Sequence, residues 1–148
     1  MARFFGRYEH SLDAKGRVIL PARFRPAFEH GGFLSQHSER CLALWTPEQF
    51  EEQMESMKAA AELGRTERNK ARVWASGTHE VEIDRSGRMA IPGPLRDFAA
   101  LAPAGAGASA NGAPVLVLGA IDRVELWNPA VWEERVRPAE RLLTEEED

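Results

Sequence analysis

The chain has 148 residues, 43% of them hydrophobic and 28% charged, which is about one domain's worth of sequence with enough apolar material for a packed core. No run approaches the roughly 18 apolar residues of a membrane helix. The N-terminal Met1-Ala2-Arg3-Phe4-Phe5-Gly6-Arg7 lacks a signal-peptide core, and the single cysteine, Cys41, cannot close an intramolecular disulfide, so a cytoplasmic protein is expected. The net charge of −4 argues against a uniformly basic nucleic-acid coat, yet residues 1–28 carry six bases and two acids while residues 133–148 carry seven acids and three bases.

In chain order, Tyr8, His10 and Leu12 alternate with Arg7, Glu9 and Ser11, the period of a half-buried strand. Asp13-Ala14-Lys15-Gly16-Arg17 follows as a tight turn, Gly16 supplying the positive φ that other residues resist. Val18-Ile19-Leu20 reads as a return strand ended by Pro21, and a short helix carrying Phe24 and Phe28 comes next, confined by Pro26 to a start near Phe24. Strands are predicted over 32–35 and 41–45. Thr46-Pro47-Glu48-Gln49 then forms a capping box ahead of a helix whose stripe is Phe50, Met54, Met57 and Ala61. A further helix is expected over 66–76 with Gly77 as its stop.

Val81 and Ile83 restart the alternation before Asp84-Arg85-Ser86-Gly87-Arg88, and Met89-Ala90-Ile91 is the second return strand, ended by Pro92. A helix carrying Leu95, Phe98 and Leu101 follows, then an Ala/Gly-rich stretch, 103–113, that reads as a mobile loop. Strands over 115–118 and 124–127 lead into Asn128-Pro129, a second helix start. The tail ending Glu145-Glu146-Glu147-Asp148 reads as a solvated, partly disordered end.

The second half therefore repeats the first. Residues 12–25 recur without a gap as 83–96, sharing Asp-x-x-Gly-Arg, three residues, then Pro; the segment ending Leu44-Trp45-Thr46-Pro47 returns as Leu126-Trp127-Asn128-Pro129. Each copy reads as a β-β-α-β-β-α unit of about fifty residues, too small to bury its apolar surface comfortably alone. Two such units should intertwine into an α+β, mainly β, pseudo-twofold domain with both turns on one side. The expected division is 7–53 and 78–131 for the units, 54–77 for connecting helices, and 132–148 for an acidic C-terminal helix and tail.

The turns carry the candidate chemistry. Lys15 and Arg17 in the first copy, Arg85 and Arg88 in the second, project long cations from a turn, suited to a phosphate backbone and, for arginine, to guanine O6 and N7. Asp13 and Asp84 read as turn-fixing residues that accept backbone amides, alongside the turn glycines Gly16 and Gly87. An alternative is that each aspartate and arginine merely satisfy each other, surface arginines being common. Cys41, in an apolar strand pattern, is expected to be a core residue, and Trp45 and Trp127 to pack in the core or between units. His10, His30, His37 and His79 lack metal-pair spacing. No catalytic constellation, metal site or cofactor motif is present.

The run Gly6-Arg7-Tyr8-Glu9-His10-Ser11-Leu12-Asp13-Ala14-Lys15-Gly16-Arg17-Val18-Ile19-Leu20-Pro21-Ala22-Arg23-Phe24-Arg25 resembles the MraZ family of bacterial transcriptional regulators, and the second copy matches too. The resemblance implies two tandem AbrB/SpoVT-like swapped-hairpin units, one chain doing the work of a dimer, and a ring-shaped homo-oligomer. It implies a nucleoid-associated protein that binds double-stranded DNA at direct repeats upstream of the cell-division and cell-wall gene cluster and usually represses it. Lys15, Arg17, Arg85 and Arg88 are the implied DNA contacts, with no cofactor and no membrane partner. The rival expectation is an oligomeric scaffold or antitoxin-like interaction module that binds no DNA.

Overall fold

Both faces of the central sheet are buried, because its inner strands are apolar apart from Ser35, Gln36 and Glu125. In the computed structural model, which describes residues 1–102 and 112–145, the elements are β1 (Arg7–Leu12), β2 (Arg17–Ile19), β3 (Gly32–Gln36), β4 (Leu42–Trp45), α1 (Pro47–Ala61) and α2 (Arg65–Gly77). The second copy supplies β5 (His79–Val81), β6 (Arg88–Ala90), α3 (Gly93–Phe98), β7 (Ala113–Gly119), β8 (Val124–Trp127), α4 (Pro129–Arg135) and α5 (Glu140–Thr144). One six-stranded sheet runs β1-β7-β8-β4-β3-β5, and β2 and β6 form a separate two-stranded ribbon. Every pairing is antiparallel.

The strand order reads the same from either end once each strand is exchanged for its repeat counterpart, which is the signature of a pseudo-twofold. The axis can be located by register. Val18 faces its own counterpart Met89 in the ribbon, and Ala43 faces its counterpart Glu125 where β4 meets β8. The copies are thus interleaved: β1 of the first pairs with β7 of the second, and β5 of the second with β3 of the first.

Alternation along the strands sends Leu42, Leu44, Val115, Val117, Val124 and Leu126 to one face, where they meet Leu12, Val18, Met89, Phe24, Phe28 and Leu95 in the main core. The opposite face carries Cys41, Leu116, Leu118 and Trp127 under α4, and Ala43 and Trp45 under α1 and α2 through Phe50, Met54 and Trp74. Neither copy could build such a core alone, since each contributes only half the strands on each face.

Several expectations change in detail. The return strands pair with each other and not with their own first strands; in the second copy only an isolated Ile83–Met89 bridge links the two. The segment carrying Phe24 and Phe28 is a 3-10 turn, Arg25–Phe28, its four residues being too few to propagate an α-helix. The Thr46 hydroxyl caps the Gln49 amide as expected, but the Gln49 carboxamide accepts from that hydroxyl and donates to the Ala2 carbonyl, so the capping box is not reciprocal. The loop expected over 103–113 lies outside the described residues except at its end, where Ala113 already belongs to β7; the last three residues of the tail also lie outside them.

Candidate nucleic-acid interface

Both Asp-x-x-Gly-Arg turns have the same construction. In the first, the Asp13 amide donates to the Arg17 carbonyl and the Gly16 amide to the Asp13 carbonyl, at 2.9 and 3.0 Å. Asp13 Oδ1 accepts the Lys15 and Arg17 amides, each at 2.9 Å, and Oδ2 accepts Arg17 Nε at 2.7 Å. In the second, Asp84 Oδ1 accepts the Ser86 and Arg88 amides and Oδ2 accepts Arg88 Nε, all at 2.9 Å. A short carboxylate at the first position is the side chain that can reach two amides of its own turn at once.

Burial is the largest single influence on Asp13 and raises its pKa, but the Arg17 amide and guanidinium and the Lys15 amide together outweigh it and hold the carboxyl below its ordinary range. At Asp84 the Arg88 amide leads, with the Arg88 side chain and Ser86 amide adding to it. Each aspartate and arginine do satisfy each other, but only through Nε, so the outer nitrogens of each guanidinium are not consumed by the brace.

The ribbon sets where those nitrogens point. Val18 and Met89 are fully buried, so the alternate positions Arg17, Ile19, Arg88 and Ala90 share the outward face. Arg17 lies opposite Ala90 and Arg88 opposite Ile19, which puts the two arginine Cα atoms about 8 Å apart from strand spacing and rise. Lys15 and Arg85 are exposed at the turns beside them. The two arginines therefore share one outward face, with Lys15 and Arg85 exposed in the turns that lead into it.

Two further cations join them that composition and turn chemistry did not single out. Arg96, from the second copy, lies over Gly16 of the first turn, and Arg25, from the first copy, lies over Gly87 of the second; a Cβ on either glycine would fall on the opposing guanidinium. Each clamp is anchored by its own copy, Arg25 Nε donating to the Leu20 carbonyl at 2.8 Å and Arg96 to the Ile91 carbonyl at 3.0 Å. Backbone bonds cross in the same sense, from the Leu20 amide to the Gly87 carbonyl and from the Ile91 amide to the Gly16 carbonyl. The glycines, at φ +74° and +81°, are required both by the turn and by this close approach. The sequence signal was the repeat itself, whose gapless match runs as far as Arg25 and Arg96.

The remaining candidates are structural. Cys41 is buried with its thiol pKa pushed up by the loss of water, and Trp45 and Trp127 are buried with their indole N–H groups donating to Ser35 Oγ and Glu125. No group of three or more His, Cys, Asp or Glu side chains is placed to hold a metal among the described residues, and no helix there is long and apolar enough to cross a membrane.

A family model described as "MraZ protein, putative antitoxin-like" matches the chain twice, at residues 3–73 and 74–148, so its two matches divide the chain as the internal repeat does. Among curated proteins, the chain is 36% identical over 142 residues to the "Transcriptional regulator MraZ" of Nocardioides sp., covering 96% of this chain and 92% of that protein. It is 34% identical to the protein of that name from Kocuria rhizophila, over 98% and 94% of the two chains, and 32% identical to that of Acetivibrio thermocellus, over 88% and 84%. With a duplicated turn, an interleaved sheet and relatives matched along nearly the whole length, the chain belongs to the MraZ family of transcriptional regulators.

Proposed function

We propose that the chain binds double-stranded DNA at repeated promoter boxes, repressing its own cell-division and cell-wall gene cluster, and that it does so as a ring of identical copies. Lys15, Arg17, Arg85 and Arg88 are the contact residues, Asp13, Gly16, Asp84 and Gly87 fix the turns, and 7–53 and 78–131 are the two units that share the surface. The observation that carries this reading is the ribbon, which holds two braced arginines on one outward face with Lys15, Arg85 and the clamping Arg25 and Arg96 around them. Six cations against two aspartates make a local positive patch on a chain of net charge −4, a field that draws in a polyanion.

One copy with a few phosphate contacts binds weakly, with a salt slope of roughly −0.9 per neutralised phosphate. A ring makes later contacts intramolecular, for an avidity gain of roughly 10² to 10⁴ when box spacing matches subunit spacing. The test is a gel shift on the native upstream DNA and on a scrambled duplex at two salt concentrations. Tight, salt-sensitive binding to the native sequence, lost in Arg17→Ala while that variant stays folded, is expected. Equal failure on both duplexes at both salts would instead favour the rival reading, an oligomeric scaffold or antitoxin-like interaction module that binds no DNA.

A further inference from the structure

We infer that Ile19 reads thymine, its branched side chain packing on the 5-methyl group in the major groove beside both arginines of the ribbon. The inference deepens the DNA-binding reading above and rests on it. Among the described residues, Ile19 is the one large hydrophobic side chain that stands exposed on a strand, at 43%, and it belongs to none of the apolar clusters there. Its neighbours in sequence, Val18 and Leu20, are fully buried. Alternation thus turns Ile19 outward with Arg17, onto the face whose other members are Arg88 and Ala90.

Register sets the position. Ile19 lies directly opposite Arg88, with Cα atoms about 5 Å apart across the ribbon. It is two residues along β2 from Arg17, a rise of about 6.8 Å. Successive bases of one DNA strand rise about 3.4 Å, so a ribbon lying along the groove sets Ile19 about two base steps from Arg17. The major groove admits a two-stranded ribbon, and of the base edges displayed there only that of thymine carries an apolar group. The phosphate backbone offers such a side chain no comparable partner.

An aliphatic side chain next to two guanidiniums therefore matches a thymine close to bases that present paired acceptors, as guanine does through O6 and N7. The counterpart of Ile19 is Ala90, which stands opposite Arg17 and ends at a single methyl group. It reaches less far, so the apolar reading belongs to the first copy, and two turns with the same brace present unequal halves to one box.

The test measures binding of the full chain to two synthetic duplexes of the native upstream sequence, one with its thymines and one with uracil in place of every thymine. The exchange deletes the methyl groups and keeps the hydrogen-bonding pattern. The unmodified protein is expected to bind the uracil duplex at least about fourfold more weakly, the worth of one buried methyl group. In Ile19→Ala the difference between the duplexes should vanish, and in Ile19→Val, one carbon shorter, it should be intermediate. Alanine already occupies the counterpart position, Ala90, and circular dichroism checks that both variants stay folded; the valine variant decides if the alanine variant does not. Equal binding of the two duplexes by the unmodified protein, or a difference that persists unchanged in the variants, overturns the assignment of Ile19 and leaves DNA binding standing. No binding to either duplex by the unmodified protein overturns both.

Discussion

The two turns agree in their bracing and differ in their setting. Aspartate-to-amide and aspartate-to-Nε contacts recur within 0.2 Å between the first and second copy, and both glycines lie under the other copy's arginine. Around them the copies diverge. β1 runs six residues and pairs with β7 along its whole length, whereas β5 runs three and pairs with β3 only from Gly32 to Leu34. The first copy is followed by helices of 15 and 13 residues, the second by helices of seven and five. Even the extra cation has moved, from the third turn position (Lys15, beside Ala14) to the second (Arg85, beside Ser86). The brace is closed within each turn by its own aspartate, and the clamp depends on the paired geometry of the ribbon and cannot change in one copy without disturbing the other; strand length, helix length and the free cation answer only to their own surroundings.

Breaking the two arginines one at a time is the strongest test of this equivalence. Arg17→Ala and Arg88→Ala should each weaken binding to the native promoter by at least about 100-fold in a ring, where the loss of roughly 1–3 kcal/mol per guanidinium is multiplied over several copies. Equal losses mean that the turns act alike on DNA. If one variant loses affinity on every duplex and the other loses discrimination between native and scrambled DNA, the first arginine grips phosphate and the second reads bases. Removing the Arg17 brace should lower stability by less than about 1 kcal/mol, because the pair is partly exposed, so binding and folding separate cleanly.

Stability should respond most to the turn glycines. Gly16→Val and Gly87→Val each force a branched side chain to positive φ and into the clamping guanidinium, at a cost of about 1–3 kcal/mol. Thermal unfolding reads the effect, and similar losses in the two variants are expected because both turns carry the same double constraint. A difference larger than about 1 kcal/mol would mean that Arg25 and Arg96 yield unequally.

A smaller and more pointed effect comes from the clamps themselves. Arg96→Ala removes a guanidinium bonded to the Ile91 carbonyl and packed on Gly16, a loss of about 1 kcal/mol. The consequence crosses the axis: amide hydrogen exchange should speed up at Gly16 and Arg17 in the first turn, and Arg25→Ala should do the same at Gly87 and Arg88 in the second. Loosening confined to the mutated copy's own turn would show that the clamps act within their copies.

The turns, the return strands, the buried β4 and β8 and the helix starts after Trp45 and Trp127 were legible because each rests on local chemistry: a glycine at positive φ, a period of two, an oxygen cap before a proline. The partners of those strands were not. Nothing in Val18-Ile19-Leu20 says that it pairs with Met89 and not with Leu12, since that choice depends on burying Val18 and Met89 together on the axis. Ala43 opposite Glu125 is a similar case. The carboxylate is accommodated by a methyl across the strand and held by Arg123 at 2.8 Å and the Trp127 indole at 3.0 Å. A glutamate in an apolar run gives no hint of either partner. The clamps were half visible, their positions fixed by the repeat and their role hidden until the two copies crossed.

The smallest expected effect is a pH dependence in two stages that separates the core from the turns. Burial, with Arg25 adding to it at His10 and Arg123 at His37, holds both histidines below their ordinary value of 6.5. Both therefore prefer the neutral form in the folded chain, and the stability they lend is complete above that value and declines as the pH falls through it. Asp13 and Asp84, also held below their ordinary range, lend stability that persists through the same interval and is lost only at lower pH, as the carboxylates protonate and release Lys15, Arg17, Ser86 and Arg88. Melting temperature should thus fall slightly between pH 7 and 5 in the unmodified chain. That fall should shrink in His37→Gln, while amide exchange within the turns stays constant until the carboxylate range is reached. Turn exchange that instead accelerates together with histidine protonation would place the turns under the control of the sheet and not of their own aspartates.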